Sequence, residues 1–163
     1  MPMMVYVDSW MLRGVTSTNL RDRTETMREF TKLRNPSYTA VIPQIALGET
    51  VSTMMRDMSD DANAFNTMTK KLFDGIANIL DVSKCLPPPS PESFEIAYEL
   101  KHRDGSLDVT DLLIVSQALA DPDSQMLLTA DDRLVRSREI KRKDAELHGC
   151  GKRRSRLRLT DRL

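Results

Sequence analysis

The chain is poor in the residues from which many sites are made. It holds two cysteines, Cys85 and Cys150, and two histidines, His102 and His148. Two thiols make no disulfide framework, and no CxxC pair points to zinc. So few histidines disfavour a His-based metal site, and both read as surface residues. No apolar run approaches the roughly 20 residues of a membrane span. The N-terminus lacks the basic-then-apolar layout of an export signal, so a reduced, cytoplasmic setting is expected. The chain also has no P-loop, no GxGxxG, no GxSxG and no convincing Ser–His–Asp set.

What is present is ordinary globular material. The 163 residues are 40% apolar and 29% charged, enough for one domain with a continuous core and too apolar for disorder. A net charge of zero conceals an asymmetry. Through Asp132 there are 12 Lys and Arg against 20 Asp and Glu, a balance of −8; the last 31 residues hold 12 against 4, a balance of +8. The basic end suits a polyanion or an acidic partner. A solvated helix face followed by a frayed tail explains the same charges.

Short strand patterns alternate with helical ones. "MMVYV" (3–7) is a β-branched and aromatic run that stops at Asp8, and "YTAVI" (38–42) reads as a second strand. Helical spacing runs through 19–33, and again from Pro43, which suits a first helical turn, to Met58. In 59–80, Phe65, Met68, Leu72, Ile76, Ile79 and Leu80 share a face. "LDVSKCL" is a candidate third strand, and "PPPSP" (87–91) is the strongest loop signal. Helices are expected in "PESFEIAYELKHR", in "DVTDLLIVSQALA" and, as one charged helix, in "RLVRSREIKRKDAEL". "QMLLT" reads as a strand and "RLRLT" as a candidate edge strand. The alternation predicts an α/β fold, three layers (α/β/α) around a mostly parallel sheet. Residues 1–148 form the domain, and 149–163 a basic C-terminal tail.

Ligands of such sheets bind beyond the carboxyl ends of the strands. Asp8 follows the first strand, and Asp131 sits just past "MLLT". Asp111 lies in the first turn of the helix before that strand. Glu49 lies about two turns into the helix after "YTAVI", its side chain tilted back toward the helix N-terminus. The topology therefore gathers four carboxylates at one sheet edge. Each alone has a dull explanation as a cap or turn residue, and for Asp108 the cap is the preferred reading. Together they would raise one another's pKa unless a cation compensates. No His or Lys accompanies them, so Mg²⁺ or Mn²⁺ is the natural compensator, able to clamp a phosphodiester and activate water. Without metal, the same crowding predicts that Asp131→Asn raises the melting temperature. Met54, Met55, Met58 and Met68 read as core rather than as a soft binding face. Trp10, a lone aromatic beside the first strand, reads as core rather than as a base-stacking residue. Arg13, near Asp8, is a candidate phosphate contact.

The order "VYVDSWML", "VIPQIALGETV", "DVTDLLIVSQALA", "MLLTADDRL" resembles the PIN domain family, including the VapC toxins of toxin–antitoxin pairs. The likeness covers about the first 135 residues, in order and spacing. Leu134 stands where the family often has an aromatic residue. The resemblance implies a metal-dependent endoribonuclease that uses Mg²⁺ or Mn²⁺ and water to cut RNA and leave a 5′-phosphate. By that analogy Asp8, Glu49, Asp111 and Asp131 hold the metal, with Asp132 and Asp108 as lesser candidates. Ser9 and Thr129 would orient carboxylates. RNA is the expected substrate, a homodimer the expected assembly, and a cognate antitoxin a candidate partner. A non-catalytic PIN-like module binding RNA or protein is the rival expectation.

Overall fold

The computed structural model describes residues 1–78 and 86–163. Among the described residues, four short strands form one parallel sheet: β1 (Met3–Val7), β2 (Tyr38–Val41), β3 (Ser124–Leu128) and β4 (Arg158–Thr160), in the spatial order β2-β1-β3-β4. Helices flank the sheet in a three-layer α/β/α arrangement. In chain order they are α1 (Ser9–Val15), α2 (Leu20–Lys32), α3 (Gln44–Asp57) and α4 (Ala62–Ala77), then α5 (Pro91–Arg103), α6 (Val109–Ala120), α7 (Asp132–Arg136) and α8 (Arg138–Gly149). Val5, Val7, Leu127 and Leu128 are all 0% exposed. Burial on both faces is why the central strands read as unbroken apolar runs.

Local chemistry sets the helix starts. Asn19 accepts hydrogen bonds from the backbone N–H groups of Arg21 and Asp22, and Ser90 accepts one from Ser93 with Pro91 at the first helical position. Gly14 permits the close approach of α1 to α2; a Cβ there would lie 2.0 Å from Thr26 Oγ1. Phe30, Met11 and Leu12 are fully buried between these layers, each contributing roughly 1.5–3 kcal/mol.

The described residues depart from the sequence expectation in several places. The charged helix is two helices, because Ser137 adopts an extended backbone (φ −59°, ψ 121°) and its Oγ caps α8 at Ile140 N. At the C-terminal end the edge-strand reading of "RLRLT" holds and the frayed-tail reading does not: β4 pairs with β3, and Arg153 is 3% exposed. Met54 is buried and Met58 and Met68 are half-buried, but Met55 is exposed on the outer side of α3. His102 is exposed, whereas His148 is half-buried. The strand expected in "LDVSKCL" lies outside the described residues apart from Leu86, as do Ile79, Leu80 and Cys85. No described helix is long and apolar enough to cross a membrane.

Candidate metal centre

Strand pairing sets the frame of the site. Val7 pairs with Leu128, so β1 and β3 end side by side and release Asp8 and Thr129 at the same edge. Asp8 N donates to Leu128 O at 3.0 Å, and Thr129 N donates to Thr160 O at 2.9 Å. Thr129 Oγ1 then donates to Asp8 Oδ2 at 2.6 Å. Ser9 holds the other oxygen, its N–H donating to Asp8 Oδ1 at 2.6 Å and its Oγ at 3.3 Å. Asp8, Ser9 and Thr129 are all at most 2% exposed. The first aspartate is therefore a buried carboxylate fixed in one orientation by three donors.

Two helices bring the other acids. α3 packs against both α1 and α6, which carries Glu49 and Asp111 in over the strand ends. One oxygen from each of Asp8, Glu49 and Asp111 lies within 4.8 Å of the others. These three belong to distant parts of the chain and have no continuous sequence signature. Glu49 Oε2 is buried with no hydrogen-bond partner among the described residues, a costly state for a carboxylate oxygen.

Asp131 lines the same cleft but is held differently. Its Oδ1 accepts from Arg133 N at 2.8 Å, capping α7, and its Oδ2 lies 3.3 Å from the Arg133 guanidinium. Asp132 points away; it is exposed and lies 3.7 Å from Arg136. Asp108 lines the cleft while its carboxylate caps α6 at Thr110 N, 2.8 Å away. Of the candidate ligands, the structure brings Asp8, Glu49 and Asp111 into one cluster and leaves Asp131 beside it in Arg133's grip.

Titration follows this geometry. Burial, then the charges of Asp8, Asp131, Glu49 and Asp108, push Asp111 up to about 7. Burial also raises Asp8, with a smaller push from Glu49, against the pull of the Thr129 and Ser9 hydrogen bonds. Burial would raise Asp131 too, but Arg133 and a hydrogen bond from Asp111 outweigh it and hold that carboxyl below its ordinary value. The crowding thus falls on Asp111. This geometry reverses the expectation for Asp131→Asn, which breaks an ion pair, and makes Asp111→Asn the substitution expected to relieve repulsion.

The donor set fits a hard divalent cation. It offers only carboxylate oxygens, one of them buried and unpartnered, on elements held rigid by the sheet. The surrounding cleft has a volume of about 800 Å³ and is also lined by Trp10, Arg13, Arg56 and Arg133. Three of these had weak sequence signals. Trp10 is not core but 36% exposed, because α1 turns its second residue outward into the cleft. Arg56 lies seven residues, about two turns, beyond Glu49 on the same face of α3 and had no local cue. Arg133 follows Asp131 by two residues, and only a cap at Asp131 gives that spacing meaning.

The fold is a PIN-like three-layer α/β/α arrangement with an acidic cleft at the carboxyl ends of its strands. Comparison with protein-family models and with curated proteins finds no match. Among solved structures, a chain of VapBC2 from Rickettsia felis, bound to a DNA fragment from their promoter, is similar in fold. The TM-score is 0.63 at 17% identity, over 84% of this chain and 95% of that one.

Proposed function

We propose that this protein is a Mg²⁺- or Mn²⁺-dependent endoribonuclease whose metal is held by Asp8, Glu49 and Asp111, with Asp131 as a fourth ligand once it parts from Arg133. The observation that carries this reading is the cluster of three carboxylates around an unpartnered Glu49 oxygen. When bound, the ion would supply charge neutralisation at a phosphodiester and a water of lowered pKa. The chain's own residues do the rest. Ser9 holds Asp8 Oδ1 through two donors, while Thr129 takes one lone pair of Oδ2 and leaves the other available. Asp111, with its pKa near 7, is the group that must lose a proton before a cation is held. Arg13 and Arg56 supply positive charge at the cleft wall for phosphate oxygens, which an acidic site alone would repel.

The similarity to VapBC2 is in line with a further part of the proposal, that the protein is the toxin of a toxin–antitoxin pair; a cytoplasmic setting and a homodimeric assembly complete the proposal. Purified protein with Mn²⁺ should cleave RNA, lose cleavage on chelation, and lose it by at least about 10²-fold in Asp8→Asn, the scale of removing one essential charge-stabilising group. Calorimetry should detect Mn²⁺ binding to the parent and not to Asp8→Asn. RNA left uncut together with no measurable metal binding would sink the proposal. Retained RNA affinity without cleavage would favour the rival, a non-catalytic binding module.

A further inference from the structure

The cleft does not end at the acids. Trp10 and Arg13 line both the cleft and a neighbouring depression of about 350 Å³ whose floor includes Gly14 and Thr26. Past the acids, Arg133 lines both the cleft and a third depression of about 420 Å³ that Arg136 and Arg138 also border. The cleft of the carboxylates therefore adjoins one depression bordered by the indole and another bordered by arginines, with Asp104 and Glu139 also on the latter's wall. Arg133 and Arg136 are 66% and 81% exposed in their side chains, and their partners are Asp131 and Asp132. The Arg136–Asp132 pair is exposed on both sides and holds little free energy, and Arg133 itself is mostly exposed, so both guanidinium groups are within reach of phosphates.

Trp10 is the chain's single tryptophan. It follows Ser9, whose backbone N–H and hydroxyl hold Asp8, so one turn of α1 fixes both the indole and the first carboxylate. Leaving an indole 36% exposed beside the acids forgoes the burial that the largest apolar side chain could contribute. A flat apolar face at a fixed distance from a phosphodiester-cutting centre matches a nucleobase. In a duplex both faces of a base are covered by its neighbours, whereas an unpaired base has a face to offer.

We propose that Trp10 is a specificity-determining residue, a stacking platform for an unpaired base of single-stranded RNA whose backbone runs from the carboxylates along Arg133, Arg136 and Arg138. The proposal takes its substrate from the nuclease reading and adds the strandedness and the path. Because Trp10 is the sole tryptophan, its fluorescence reports the contact directly.

The test uses the full chain in EDTA, so that binding is read without cleavage. A short single-stranded oligoribonucleotide should quench Trp10 in step with binding followed by anisotropy. A duplex of the same sequence, and inorganic polyphosphate, should bind with little quenching. Trp10→Ala should weaken single-strand binding roughly five- to 100-fold, and Trp10→Phe should keep most of it. Unchanged polyphosphate affinity in Trp10→Ala would establish that this variant is folded; if it is not, the single-strand and duplex quenching of the parent decides. Arg138→Ala should leave the quenching at saturation intact and lower the salt dependence of log Kd by about 0.7. Saturation by single-stranded RNA without quenching, equal quenching by duplex, or no RNA binding at low salt would each overturn the platform. Cleavage with Mn²⁺, measured in parallel, separates the two proposals. Cutting that ignores Trp10→Ala leaves the nuclease standing and removes the platform. Trp10-dependent binding without cutting does the reverse.

Discussion

Two places in this molecule hold charge away from water, and they are built in opposite ways. At the carboxyl end of α6, Arg153 is 3% exposed and nearly every donor it has is used. Its guanidinium donates to Ala118 O at 2.6 Å, Leu119 O at 3.0 Å and Ser124 O at 2.5 Å, and lies 3.4 Å from Asp144. Asp144 in turn accepts from Leu157 N at 3.1 and 3.2 Å. At the strand ends, by contrast, Asp8, Glu49 and Asp111 crowd three like charges together, and one Glu49 oxygen has no partner. A satisfied buried charge is a structural fastening. An unsatisfied group of like charges is an arrangement that a ligand of opposite sign would relieve.

The largest expected effect is at the satisfied cluster. Arg153→Ala strands Asp144 and several α6 carbonyls, so it should cost about 3–5 kcal/mol. For a chain of this size that corresponds to a fall in melting temperature of roughly 6–20 °C. Urea or thermal unfolding would measure it. A loss below about 1 kcal/mol would mean that β4 and the segment before it are not fastened by Arg153, and that the contrast between the clusters is overstated.

At the acidic cluster the sign reverses. Metal-free Asp111→Asn should be more stable than the parent at pH 8, by roughly 1–2 kcal/mol after discounting for partial exposure. The folded chain holds Asp111 protonated up to about 7, whereas the unfolded chain releases that proton near the ordinary carboxylate value. Between about pH 4 and 7 the native state therefore binds more protons. Its stability should fall as pH rises through that window, by up to about 1.4 kcal/mol per unit, and then level off. Asp111→Asn should flatten this slope, and saturating Mn²⁺ should raise the melting temperature of the parent alone, by about 2.7 kcal/mol equivalent at 100 times Kd. A parent whose stability rises across the window would show that the acids are not crowded.

The contrast also explains what could be read from sequence. The sheet was legible because parallel strands buried on both faces leave unbroken apolar runs such as Met3–Val7, and helical spacing such as that through 19–33 marks the flanking layers. The acids were legible because topology, rather than local chemistry, dictates where the ends of β1 and β3 lie. Partners chosen by packing were not legible. Nothing near Arg153 in the sequence names the carbonyls 29 to 35 residues away that it binds. Trp10 misled for a related reason: adjacency to a buried strand suggested core, but the helix begins at Ser9 and turns the next residue outward. Ser137 broke the charged helix because its hydroxyl serves α8 as a cap, a competition that an uninterrupted run of charges hides.

The smallest expected effect separates the two adjacent aspartates of "ADD". Asp131 is 20% exposed in its side chain and engaged by Arg133, whereas Asp132 is 79% exposed and faces Arg136 across 3.7 Å. Repulsion between neighbours along the chain is thus relieved by giving each its own arginine, and only Asp131 faces the cleft. Asp132→Asn should change stability by no more than about 0.5 kcal/mol, as at other exposed positions, and should leave Mn²⁺ affinity by calorimetry where it was. Asp131→Asn should lower both, because it loses the Arg133 pair and a carboxylate beside the cluster. A weakened metal affinity in Asp132→Asn alone would require the start of α7 to rotate when the ion binds, placing the second aspartate where the first now stands.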